Sequence, residues 1–205
     1  MNITDLIHCQ DFPCQDINIK AHAIPAIEID PETIHIFMIS EAPPVDFQDN
    51  FYADGNPFYL QTTLSAFKDA GISVSSIQDI ISKGVYLTTA IKCGKIRYSV
   101  SAATIKTCSH ILETEISFFP SLRCFLLMGD VAIKAFNYIA KRKSGTRVIP
   151  SGSTYKIRKN TYYFEDKRVF PSYLQTGKSY LIEKSKRTMI AEDLKNAFGF
   201  ALSKC

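Results

Sequence analysis

A chain of 205 residues is the size of one compact domain and is long enough to bury a core. With 46% hydrophobic and 21% charged residues its composition is that of an ordinary soluble globular protein. No run of about 18 apolar residues exists to form a membrane-spanning helix, and the N-terminus carries acids and a cysteine rather than a basic stretch followed by an apolar run. A cytoplasmic protein without a signal peptide or membrane contact is therefore expected. In that reducing setting the six cysteines are expected to be buried or metal-bound rather than disulfide-linked.

Along the chain, four short β-rich runs are bounded by turn or helix signals: 34–39, 85–90, 124–128 and 167–170. Helical periodicity lies between and after them. The first helical stretch, 60–70, ends at Gly71, a good helix stop. A second, 102–118, is stopped by Pro120, and Gly129 opens a third over 130–140. The last, 186–202, carries Ile190, Leu194, Ala197 and Phe198 on one face. Strands alternating with helices imply parallel crossovers. The expected fold is α/β, one three-layer αβα domain over 1–205 with a central, mostly parallel four-stranded sheet. The segment 141–166 is polar, basic and rich in turn formers, and reads equally as a hairpin or a long loop.

The net charge of +4 is unevenly spread. Residues 141–187 hold thirteen Lys or Arg against three acids, Glu165, Asp166 and Glu183. Such a basic third suits a phosphate-contacting face, or else a solvated surface. Ligands of open parallel sheets sit at the carboxyl ends of strands. That rule singles out 40–44, 92–94, 129–130 and 171–177.

Those same places carry a family pattern. Ile39-Ser40-Glu41-Ala42-Pro43-Pro44 resembles the Gly-Glu-Ala-Pro-Gly motif of the iron–sulfur (family 4) uracil-DNA glycosylases. Asn56-Pro57-Phe58 resembles that family's Pro-Phe segment. Thr89-Ala90-Ile91-Lys92-Cys93 resembles its Asn-x-x-Lys-Cys strand end, and Leu126-Leu127-Met128-Gly129-Asp130 its next strand–Gly–helix unit. Phe170-Pro171-Ser172-Tyr173-Leu174 resembles its His-Pro-Ser-x-Leu loop. Order and rough spacing agree over most of the chain.

The resemblance implies a DNA glycosylase that flips a base out of the stack and hydrolyses its N-glycosidic bond. By resemblance, Glu41 acts on the attacking water, with Asp46 and Asp49 as alternatives, and Ala42, Pro43, Phe58, Thr89 and Phe170 contact the base. Phe58 would be the stacking wall; plain core packing is its bland alternative. Pro171, Ser172, Tyr173, Leu174 and Lys178 would contact DNA, with Leu174 as the wedge that fills the vacated stack. For Glu41, bonding the amides of its own turn is the alternative. DNA is the implied partner, with no nucleotide cofactor and a monomeric state. His8, His22, His35 and His110 fall outside these motifs.

The family also holds a 4Fe–4S cluster on four cysteines, here Cys9, Cys14, Cys93 and Cys108, in a structural rather than a redox role. The Cys93–Cys108 spacing matches the family, while C-x₄-C at the N-terminus departs from its C-x₂-C. A tetrahedral zinc site and four unligated thiols are the alternatives. Cys124 reads as a buried small hydrophobe, and the terminal Cys205 is uninformative.

Three departures bear on the chemistry. Ser40 replaces a Gly of the acidic motif. Thr89 stands where the family reads uracil with an Asn amide, and Phe170 where a His donates to the departing base. Sites built on buried hydrogen bonds reject the wrong base strongly, and losing one such donor costs about 10²–10³ in rate. Glu41 is retained. The expectation is therefore removal of a damaged or modified base rather than plain uracil. The alternatives are a silent DNA-binding relative, or a uracil enzyme using another donor such as Tyr173, Lys178 or backbone amides.

Overall fold

The strands form where apolar residues run without alternation, because both faces of each strand are covered. In Ile36–Ser40 every residue is buried: Phe37 and Ile39 enter one hydrophobic cluster, Ile36 and Met38 the other. The computed structural model describes residues 1–9, 11–96 and 99–203, Ser179 without its side chain. Cys205 lies outside them.

In chain order the elements are β1 (Ile17–Asn18), β2 (Ile36–Ser40), α1 (Phe58–Asp69), α2 (Ile77–Ser82), β3 (Val85–Thr89), β4 (Gly94–Lys95), α3 (Ala102–Ser117), β5 (Cys124–Met128), α4 (Asp130–Ser144), α5 (Thr154–Ile157), β6 (Tyr162–Phe164), β7 (Lys167–Ser172), α6 (Lys178–Ile182) and α7 (Lys184–Leu202). The main sheet has the order β3-β2-β5-β7-β6. Its first four strands pair in parallel, and β6 pairs antiparallel with β7. Residues of α3 and α4 build the core on one face, residues of α1, α2 and α7 on the other.

The fold is α/β as expected, with two corrections. The sheet is mixed and five-stranded rather than four-stranded, because part of the undecided 141–166 segment becomes β6. That strand returns on β7 through a tight turn in which Glu165 takes a φ of 56°. The second correction is that β7 runs to Ser172 rather than stopping at Phe170. Proline is tolerated at position 171 because β6 pairs no further than Val169, so one flank of the ladder is empty there.

Helix ends follow local chemistry. Gly71, at a φ of 73°, follows the Ala70 cap of α1, as anticipated. Ser101 caps α3 by accepting the Thr104 N–H at 3.2 Å. The short helix α2, capped by Ser76, was not foreseen: six residues show too little periodicity. A two-stranded ribbon, β1 with β4, ties the N-terminal segment to the turn after β3. The Asp16 carboxylate accepts the Ser101 N–H at 2.6 Å and also bonds Thr104, extending that tie to α3. Among the described residues no helix is long and apolar enough to cross a membrane.

Candidate functional site

The carboxyl ends of β2 and β3 are locked together by backbone: Ala90 N–H donates to Ser40 O at 2.8 Å and Ile91 N–H to Glu41 O at 3.0 Å. The Glu41 side chain, 15% exposed, turns toward α4. Its Oε1 accepts the Val131 N–H at 3.3 Å, inside the first turn of that helix, where unpaired amides and the helix dipole favour a negative charge. Its Oε2 is paired with the Lys95 ammonium. Gly129 makes this approach possible. Its φ is 97°, and a Cβ there would stand 2.7 Å from Glu41 Oε1. The carboxylate therefore bonds a neighbouring helix rather than its own turn.

Ser40 is buried, and its hydroxyl is joined to the fully buried Gln175 amide, which donates from Nε2 at 2.8 Å. This bond ties the end of β2 to the connection after β7. The sequence marked Ser40 only as a departure and did not single out Gln175.

Phe58 opens α1 half-buried and belongs to neither hydrophobic cluster. The Asp49 carboxylate accepts its N–H at 3.3 Å. Asp46 is exposed and caps a single helical turn by accepting the Gln48 N–H at 3.0 Å. Ala42 and Pro43 are buried, Ala42 within the core. Tyr59 went unnoticed in the sequence. Burial holds its phenol above the usual range; a bond with Thr176 opposes this, while the Glu41 and Asp49 charges add to it. It is a neutral hydroxyl within electrostatic reach of Glu41. Nothing in the sequence separates it from the nine other tyrosines of the chain.

Beneath the rim lies a fully buried ion pair. The Lys92 ammonium donates to Glu115 Oε2 at 2.5 Å, to Thr88 Oγ1 at 2.7 Å and to Thr89 O at 2.7 Å, using all three protons. Glu115 Oε1 accepts from Tyr86 at 2.7 Å and Thr88 at 2.9 Å. The network fixes the turn that carries Thr89. The Thr89 hydroxyl is itself spent on Ile91 O at 2.7 Å, so its proton does not reach a ligand.

The end of β7 looks different. Phe170 lies two residues below the strand end, packs against the α7 cluster and meets the Phe200 ring edge-on at 6.3 Å. Pro171 and Ser172 are buried. The Ser172 hydroxyl donates to Asp193 at 2.6 Å, and Asp193 is held bidentate by Arg158 at 2.7 and 3.0 Å. Tyr173 and Leu174 are half-buried against the same cluster. Of the five expected DNA contacts, Lys178 is the exposed one. Leu181 and Ile182 on α6 are more exposed than Leu174, Ile182 at 77%.

Cys93 and Cys108 are buried, and Cys9 and Cys14 half-buried. Burial pushes the Cys93 thiol up to about 12, with Cys108, Cys9 and Cys14 adding to the rise. Cys108 is raised for the same first reason, against an opposing hydrogen bond from the Lys92 N–H at 3.4 Å to its sulfur. The four thiols thus share one neighbourhood, and the donor set suits a thiolate-bound group. Among the described residues no three Cys, His, Asp or Glu side chains converge as closely as a single ion requires. Cys124 is buried in β5, also raised to about 12 by burial.

The basic third is partly spent inside the protein. Arg142 pairs with Glu113, Arg158 with Asp193 and Glu192, and Arg187 with Asp69. Comparison with protein-family models and with curated proteins finds no match.

Proposed function

We propose that this chain is a DNA glycosylase of the uracil-DNA glycosylase superfamily that hydrolyses the N-glycosidic bond of a flipped-out damaged or modified base. The observation that carries this reading is the Glu41 carboxylate, held at the carboxyl rim of a parallel strand array with the neutral Tyr59 phenol in electrostatic reach. A base extruded from the stack would lie on Phe58. Glu41 orients the attacking water and stabilises the oxocarbenium-like state. Tyr59 takes the donor role that Phe170 lacks, giving its hydrogen bond to the departing base. Leu181 and Ile182 offer a better wedge than Leu174, being exposed on the segment after Lys178.

Plain uracil is the less suitable substrate, because the Thr89 proton is committed to Ile91 O and leaves no amide-like pairing edge. Cys9, Cys14, Cys93 and Cys108 are the residues that would hold a 4Fe–4S cluster, whose spread of thiolates is wider than that of a single ion. Bound there, it supplies a structural tie between the N-terminal segment and the sheet edge.

A second reading, a silent DNA-binding relative, is favoured by one specific observation: both Glu41 oxygens already have partners. Oligonucleotides carrying single lesions or modified bases, scored for abasic sites, separate the two. Base release from a non-uracil substrate, lowered about 10²–10⁴ by Glu41→Gln, is expected. DNA binding without release from any substrate favours the silent relative, and fast release of uracil rejects the altered specificity. Anaerobically purified protein should be brown and lose its colour in Cys108→Ser; a colourless, zinc-containing protein rejects the cluster.

A further inference from the structure

Beside α4 lies a cleft of about 400 Å³, between the start of α3, α4 and the 147–152 connection, and Glu41 is not part of its lining. That volume is within the range of small-molecule sites. Its floor is apolar, made by the buried Ile105, Ile133, Ile149 and Ile157, with the half-buried ring of Tyr138 beside them. Its rim is cationic: Lys134, Lys141 and Arg147. Among the described residues none of these three forms an ion pair, and Arg147 donates only to Ser151 Oγ at 3.2 Å. Arg142 and Lys143, on the same helical turn as Lys141, are paired with Glu113 and Glu165.

The wall is built before any ligand arrives. Asn137 donates from Nδ2 to Ile149 O at 2.8 Å and accepts the Val148 and Ile149 N–H groups at 3.1 and 3.0 Å. Three bonds from one side chain fix the connection against α4, which lowers the ordering cost of binding. At the opposite end stands Asp130, the first residue of α4, exposed and without a hydrogen-bonded partner among the described residues. The helix rises about 16 Å from Asp130 to Lys141.

We infer that this cleft binds a nucleotide, its sugar and base on the isoleucine floor and Tyr138, its phosphate at Lys141 and Arg147, and a base amino group at the Asp130 carboxylate. Each part matches a part of the wall: a ring for Tyr138, an anion for the unneutralised Lys141 and Arg147, a donor for one carboxylate. The nucleotide is either free or the end of a nucleic-acid strand, since both present the same chemistry. The inference does not depend on base release at Glu41, because the cleft is a separate cavity and its readout is binding.

The test is calorimetry on the full chain with deoxycytidine 5′-monophosphate, inorganic phosphate, decanoate and a 5′-phosphorylated single-stranded decamer. Saturable binding of the mononucleotide, weakened at least about tenfold by Lys141→Ala with Arg147→Ala, is expected. These side chains are exposed, so the variants should keep the parent melting temperature, and Lys156→Ala outside the cleft should bind as the parent does. Binding of the decamer alone, with the same loss in the double variant, assigns the site to a strand end. The inference is overturned if neither probe binds, if the double variant binds both unchanged, or if decanoate binds more tightly than the nucleotide.

Discussion

The β2–β3 end of the rim and the β7 end carry equally dense motifs in sequence, yet they use them in opposite ways. At β2–β3 the turn leaves Glu41 between Val131 and Lys95, with the Tyr59 phenol in reach. At β7 the strand runs on to Ser172, whose hydroxyl joins Asp193 and Arg158 in the interior. The difference comes from what each strand meets. Beyond β2 lies a helix N-terminus that attracts a carboxylate. Beyond β7 lies α7, whose buried Asp193 requires donors. What the next layer offers a polar residue at a strand end thus decides whether it is held at the rim, as Glu41 is, or drawn into the interior, as Ser172 is.

The largest effect that would sharpen this comparison lies beneath the β3 turn. Lys92→Met should destabilise the protein by about 3–5 kcal/mol in urea unfolding, because it strands a buried Glu115. Adding Glu115→Leu should recover part of that loss. A single substitution that leaves stability unchanged would break the claim that this network holds the Thr89 turn.

Next comes the donor at the rim. On a confirmed substrate Tyr59→Phe should lower the rate by about 10²–10³, while Phe170→His should restore little, since position 170 is packed on Phe200 below the rim. Rescue of uracil release by Phe170→His would reverse the ranking of the two ends. Burial and the neighbouring carboxylates raise the Tyr59 phenol, so it stays protonated beyond the ordinary phenol range near ~10. The alkaline fall in rate should therefore begin above that value.

Ser172→Ala should cost about 1–3 kcal/mol of stability by removing a donor from buried Asp193, and should leave the affinity for DNA unchanged in a binding titration. A weaker DNA affinity at parent stability would return Ser172 to the interface.

The smallest effect belongs to His22, whose Nε2 is buried without a hydrogen-bond partner among the described residues and whose ring meets Phe12 edge-on. Burial lowers its affinity for protons, with the Lys92 charge adding to this. The unfolded chain then binds the proton more readily, so the stability His22 permits is complete above about 6.5 and falls as pH drops below it. His22→Phe should flatten that acid-side decline, a difference below about 2 °C in melting temperature at pH 5.

The parallel strands and long helices were legible because apolar runs and 3.6-residue periodicity survive in single sequences. What stayed hidden depended on partners remote in the chain. Gln175 acquires meaning only from Ser40, Tyr59 only from Glu41 and Thr176, and Ser172 only from Asp193. The extra strand β6 was hidden for another reason: three residues in a basic, turn-rich stretch take strand form only because β7 offers an edge. Cys9 and Cys14, although oddly spaced, drew notice in the sequence because thiols are rare there.

Gly129 carries a last consequence. It touches no ligand and moves no proton, yet a side chain there would evict Glu41 from the helix it rests on. The dependence runs one way: a chain with a larger residue 129 would have to shorten or relocate the acid in the same step, whereas a shorter residue 41 meets no such bar.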